Sequence, residues 1–163
     1  MLPQLYFFMS IAFSFIAWGI VAKRYIWPKL RLLQPAEALR PILILHTFRF
    51  EGLAFLVPGV VSPDLPPAFA HSAAYGDLIA AILALLSLAS LPRPGVAVAW
   101  IFNLWGTADL LNAFYQANAA GLVPGQLGAA YFIPTLLVPL LLITHGLAFR
   151  ILLQHRYWVE SPS

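Results

Sequence analysis

The chain has no cysteine. That removes disulfides, thiolate metal sites, a cysteine nucleophile and thiol redox chemistry. Charge is also scarce: Asp, Glu, Lys and Arg together make up 9% of 163 residues, against about 25% in soluble domains. So few charges cannot cover a water-facing surface. Phosphate-binding loops, GxSxG elbows, HExxH helices and GxGxxG turns are all missing. No basic residues precede the first apolar run, as they would in a signal peptide. The usual signatures of soluble enzymes are therefore lacking, and the residues name no reaction.

What is present is apolar. Hydrophobic residues make up 61% of the chain. The composition points to an all-α polytopic membrane protein whose surface is mostly covered by lipid. Five spans fit the pattern, at about 5–22, 41–61, 73–91, 96–117 and 130–153, in a single transmembrane domain. Leu5 to Ala22 is uncharged and is followed by Lys23 and Arg24, as in an uncleaved first helix with its N-terminus outside. Leu30 to Leu39 suits a short interfacial helix. Pro41 suits the first position of the second span.

The basic residues set the orientation. Lys23, Arg24, Lys29, Arg31, Arg40, Arg93, Arg150 and Arg156 all fall on one side of this arrangement, which makes that side cytoplasmic by the positive-inside rule. A bacterial-type inner membrane is the expected location. The pI of about 9.5 thus comes from anchoring residues, and nucleic acid is not an expected partner. Expected partners are membrane lipids, and further membrane subunits or copies of the chain.

The ninth basic residue is Arg49, inside the second span in His46-Thr47-Phe48-Arg49-Phe50-Glu51-Gly52. Ionisable groups at membrane depth are costly and mark functional sites or buried pairs. On a regular helix His46 and Arg49 share one side, while Thr47 and Glu51 share another. A span polar on two sides should meet protein on both, which makes the second span the expected centre of the bundle. On the fourth span Trp105, Asp109, Asn112 and Gln116 form a stripe that should face the interior or a wet cavity.

Helical rise places His46 and His145 about 7 Å from the inner face, Arg49 about 12 Å, Glu51 about 15 Å, Asp109 about 20 Å, and Asp77 and Asn112 about 24 Å. Three acids, Glu51, Asp77 and Asp109, then face one base. Arg49 is expected to pair with a carboxylate, Asp109 or Glu51 by depth. A second acid must carry a proton or meet a cation or ligand. Asp77, near the outer end of its span, suits the headgroup level as a helix-dipole partner.

Two other uses of these groups follow from residue type. His46 and His145, at matched depth on different spans, could hold a b-type haem between them. Glu51, Asp77, Asp109 and a histidine could hold a metal. Residues 49–90 are similar, with altered spacing, to the RxxxGxxFLxxG helix of the DoxX-like small membrane proteins through Arg49, Gly52, Phe55, Leu56 and Gly59. The likeness covers about a quarter of the chain and carries no activity across.

The functional expectation is an intramembrane polar pocket for a small amphipathic ligand, lipid- or quinone-like. Arg49 would anchor its head, and Asp109 or Glu51 would exchange a proton with it. One alternative is a proton-coupled transporter or oligomeric channel along the ladder from His71 to His46. Another is a subunit or assembly factor of a larger membrane complex.

Overall fold

The computed structural model describes residues 2–160, with side-chain surroundings given for residues 2–154. All its regular elements are helical. α1 is Leu2–Leu30, passing through a π-helical turn at Ala22–Ile26. α2 is Pro35–Thr47 and runs on as a 3-10 helix, Phe48–Leu56. α3 is Pro67–Ser90 and α4 is Gly95–Ala119. A 3-10 stretch, Pro124–Tyr131, and a π-helical turn, Ile133–Leu137, lead into α5, Val138–Glu160. His155, Arg156 and Glu160 lie outside the described side chains.

Three stretches are long and apolar enough to cross a membrane: Leu2–Leu30, Pro67–Ser90 and Ile133–Gln154. α2 with its 3-10 continuation and α4 are not among them. The α-helical part of α2 is only 13 residues long, and on α4 the polar Asn103, Asp109, Asn112 and Gln116 lower the mean hydropathy.

Several boundaries differ from the sequence expectation, and prolines account for most of the differences. The first helix does not stop at residue 22 but continues to Leu30, with Pro28 in the first turn of its last α-helical piece. There its missing N–H costs little. The separate interfacial helix over 30–39 is not formed. Residues 31–34 make the turn, and Pro35 opens α2 at the position assigned above to Pro41. Pro41 lies inside the helix. Pro67 starts α3 six residues earlier than expected, which shortens the 62–72 loop and moves Asp77 away from the helix end.

α2, α3, α4 and α5 close into a four-membered ring, each packing on the next and α5 returning to α2. α1 lies outside the ring, against α5. α2, the expected centre, is therefore one wall, and Ile44, Phe48, Phe50 and Glu51 point out of the bundle. α3 turns Ala70, Ala73, Ala74, Ala80, Ala81 and Ala84 inward. Small side chains let neighbouring helices approach closely, which matters in lipid because burial of apolar area drives no association there. Two apolar clusters fill the ring, one at each end. The first holds Leu39, Leu43, Phe102, Ile151 and Leu152, and the second Phe55, Phe69, Leu110 and Leu127. The polar site lies between them.

Candidate functional site at the centre of the ring

The local winding of the second span decides what faces inward. From Phe48 the chain turns about 120° per residue rather than about 100°. A repeat of three then lines up Arg49, Gly52 and Phe55, and these are the buried residues of the segment. Phe48 and Glu51 fall on an outward row. The expected pairing of Glu51 with Arg49, and its place in a pocket or metal site, are thus corrected. Thr47 satisfies its own hydroxyl by donating to the Ile44 carbonyl at 2.7 Å, so it needs no protein neighbour.

Arg49 is 3% exposed, and its guanidinium reaches three other helices. Nε donates to Asp77 Oδ1 on α3 at 2.7 Å. One terminal nitrogen donates to Asp109 Oδ2 on α4 at 2.7 Å. The other faces the Gly106 carbonyl at 3.2 Å and His145 Nε2 on α5 at 3.3 Å. The expected pairing with Asp109 is present, and Asp77 on α3 is a second carboxylate partner. Asp77 is 7% exposed and tied to Arg49, so its assignment to the headgroup level is corrected.

Hydrogen-bond logic fixes the histidine tautomers. Arginine has only donors, so His145 Nε2 accepts and Nδ1–H donates to Asn103 Oδ1 at 2.6 Å. Asn103 Nδ2 in turn donates to the His145 carbonyl at 3.3 Å. His145 is therefore neutral. The Thr144 hydroxyl donates to the carbonyl of Leu140 or Leu141, which leaves its oxygen to accept from His46 Nε2–H at 2.9 Å. His46 Nδ1 is then a bare lone pair, the one buried side-chain polar atom without a partner among the described residues. No hydrogen bond links His46 to His145. Their rings pack with centroids 4.3 Å apart and planes tilted by 54°.

This arrangement does not fit a haem. Axial ligation from both sides needs a metal between the two imidazole edges with bonds of about 2 Å to each. Here the rings lie against each other, and both His145 nitrogens are engaged within the protein. No group of three or more His, Asp or Glu suited to a metal ion occurs among the described residues.

Glycines make the space for these groups. A Cβ on Gly106 would lie 2.6 Å from His145 Nε2 and 2.7 Å from an Arg49 nitrogen. A Cβ on Gly52 would run into the Asp77 carboxylate, and one on Gly76 into that of Asp109.

The expected stripe on α4 is not interior. It runs along the seam with α3, where Trp105 is 43% exposed and donates to the Gly76 carbonyl at 3.3 Å. Asn112 bonds Ser72 at 3.2 Å, and Gln116 is half-buried. Asp109 alone of the stripe joins the Arg49 cluster. His71 is at the surface, stacked on Tyr75. Asn103 and Thr144 complete the site without having been singled out. The inward row Ala99, Asn103, Gly106 and Leu110 on α4 was the signal for Asn103.

The second apolar cluster surrounds a cavity of about 420 Å³. Phe7, Phe8, Phe55, Phe69 and Phe114 form its walls. Asp77 and Asp109 line it deep in the ring, and the exposed Gln4, Asn118 and Gly121 lie at its opposite end. Arg49 does not line it.

A family described as a domain of unknown function, DUF8737, matches residues 6–153. The chain belongs to that family. The match takes in every residue of the Arg49 cluster and, apart from Gln4, the whole cavity lining. No curated protein and no solved structure matches the chain.

Proposed function

We propose that this chain is an integral membrane protein of five spans, with its N-terminus outside and its C-terminus cytoplasmic, that binds a small amphipathic molecule in the phenylalanine-walled cavity. The one-sided distribution of Lys and Arg supports the orientation and a bacterial-type inner membrane. The observation that carries the binding reading is the cavity itself. Its volume of about 420 Å³ falls in the range of ligand sites, about 300–1,000 Å³, and its apolar walls end on two carboxylates.

The sequence expectation that Arg49 anchors the head is revised. Arg49 spends its donors on protein acceptors and does not line the cavity, so the ligand head meets Asp77 and Asp109. Asp109 is the group to exchange a proton, because it lines both the cavity and a shallow groove beside Trp105 and Asn112. The packed cluster of Leu39, Leu43, Phe102, Ile151 and Leu152 at the other end of the ring favours binding over passage through a pore.

Ala113 lines the cavity away from the ion cluster. Ala113→Trp should fill the space while leaving the fold intact. Small molecules extracted from purified wild type should include an amphipathic species that is lost in Ala113→Trp. Identical extracts from two equally folded proteins would sink the reading.

A further inference from the structure

The charges at the deep end of the cavity do not balance. One guanidinium faces two carboxylates. His145 is neutral by its hydrogen bonds, a proton on His46 Nδ1 would be a buried donor without an acceptor, and Glu51 points out of the bundle. Each aspartate uses one oxygen on Arg49, and among the described residues neither Asp77 Oδ2 nor Asp109 Oδ1 accepts a hydrogen bond. Asp77 is 7% exposed and lines the cavity, so a group in the cavity can approach its carboxylate. A lone buried negative charge is costly, and either a proton on one aspartate or a cation held against the pair removes that cost. The walls suit the rest of such a ligand, because apolar aromatic side chains cover a hydrocarbon chain.

Resting on the binding reading above, we propose that the cavity takes an amphipathic amine. Its ammonium head donates to Asp77 and Asp109, and its chain lies among Phe7, Phe8, Phe55 and Phe114. The head restores neutrality to the Arg49–Asp77–Asp109 cluster without displacing Arg49. An acidic head meets two carboxylates and is rejected. A neutral hydroxyl can donate a hydrogen bond but leaves the extra charge uncompensated.

The test uses the full chain in a neutral detergent at neutral pH. Binding of decylamine, decanol and decanoic acid is counted by native mass spectrometry, and cavity binding is the part lost in Ala113→Trp. Decylamine should bind at least about tenfold more tightly than decanol, with decanoic acid weakest. Asp77→Asn balances the charges and should bring decylamine down to the level of decanol. Asp109→Asn makes the same measurement if Asp77→Asn does not fold. Decanol or decanoic acid binding as well as decylamine would overturn the amine assignment and leave the amphipathic-ligand reading standing. So would a preference for decylamine that persists in the folded Asn variant. If none of the three distinguishes wild type from Ala113→Trp, both readings fall.

Discussion

Arg49 offers five N–H donors in a rigid fork, and acceptors from α3, α4 and α5 take four of them: Asp77, Asp109, the Gly106 carbonyl and His145. Arg49→Met strands two carboxylates inside the ring. Removing one partner of a buried ion pair costs about 3–5 kcal/mol, so the unfolding temperature in detergent should fall markedly. The triple variant Arg49→Met, Asp77→Asn, Asp109→Asn leaves no buried charge and should recover most of that loss. A triple variant no more stable than the single one would mean that charge compensation is not what ties the helices together. At this scale the sequence was partly legible. Arg49 stood out as the only basic residue away from the ends of the expected spans, and its need for an acid followed from the cost of burying a charge. Which acid did not follow. Glu51 was misplaced because a regular helix was assumed where the chain winds as a 3-10 helix, and Asp77 because α3 begins at Pro67.

The elements meet through glycine. Three helices present Gly52, Gly76 and Gly106 to the ion cluster, each at a point where a methyl group would meet a charged or imidazole side chain. Gly106→Ala gains helix propensity of about 1 kcal/mol but forces His145 or Arg49 aside, a clash that costs about 1–3 kcal/mol. The net change should be destabilising, with the Arg49–His145 contact disturbed. Gly19 is also inside a helix and has nothing within 4 Å of a Cβ position. Gly19→Ala should stabilise by about 0.5–1 kcal/mol. Thermal unfolding of the two variants side by side checks the argument, since equal shifts would mean that propensity alone governs both sites. The alanine-rich face of α3 was readable as a packing surface from composition. The role of each glycine was not, because it depends on which helix lies opposite. The polar stripe on α4 shows the same limit. Its spacing was right, but the seam with α3, rather than the ring interior, received it.

Across the whole molecule, the cavity opens at the end that holds Gln4 and the 118–124 segment. The proposed topology makes that end the outer one, so ligand would enter from the outer leaflet or the space beyond it. Length and composition mark only three helices as spans. The two that fall short build half of the central ion cluster, and Arg49, Asn103 and Asp109 on them face protein partners. Under the proposed five-span topology these two cross as well. Because the chain has no cysteine, a single introduced one reports its own position. Asp64 lies exposed between α2 and α3, and Arg93 lies exposed between α3 and α4. In spheroplasts, a membrane-impermeant maleimide should label Asp64→Cys directly. It should label Arg93→Cys only after the membrane is opened. The reverse pattern would invert the protein and put the cavity mouth on the cytoplasmic side. Labelling of both from one side would mean that α3 does not cross, and the five-span topology would fail with it.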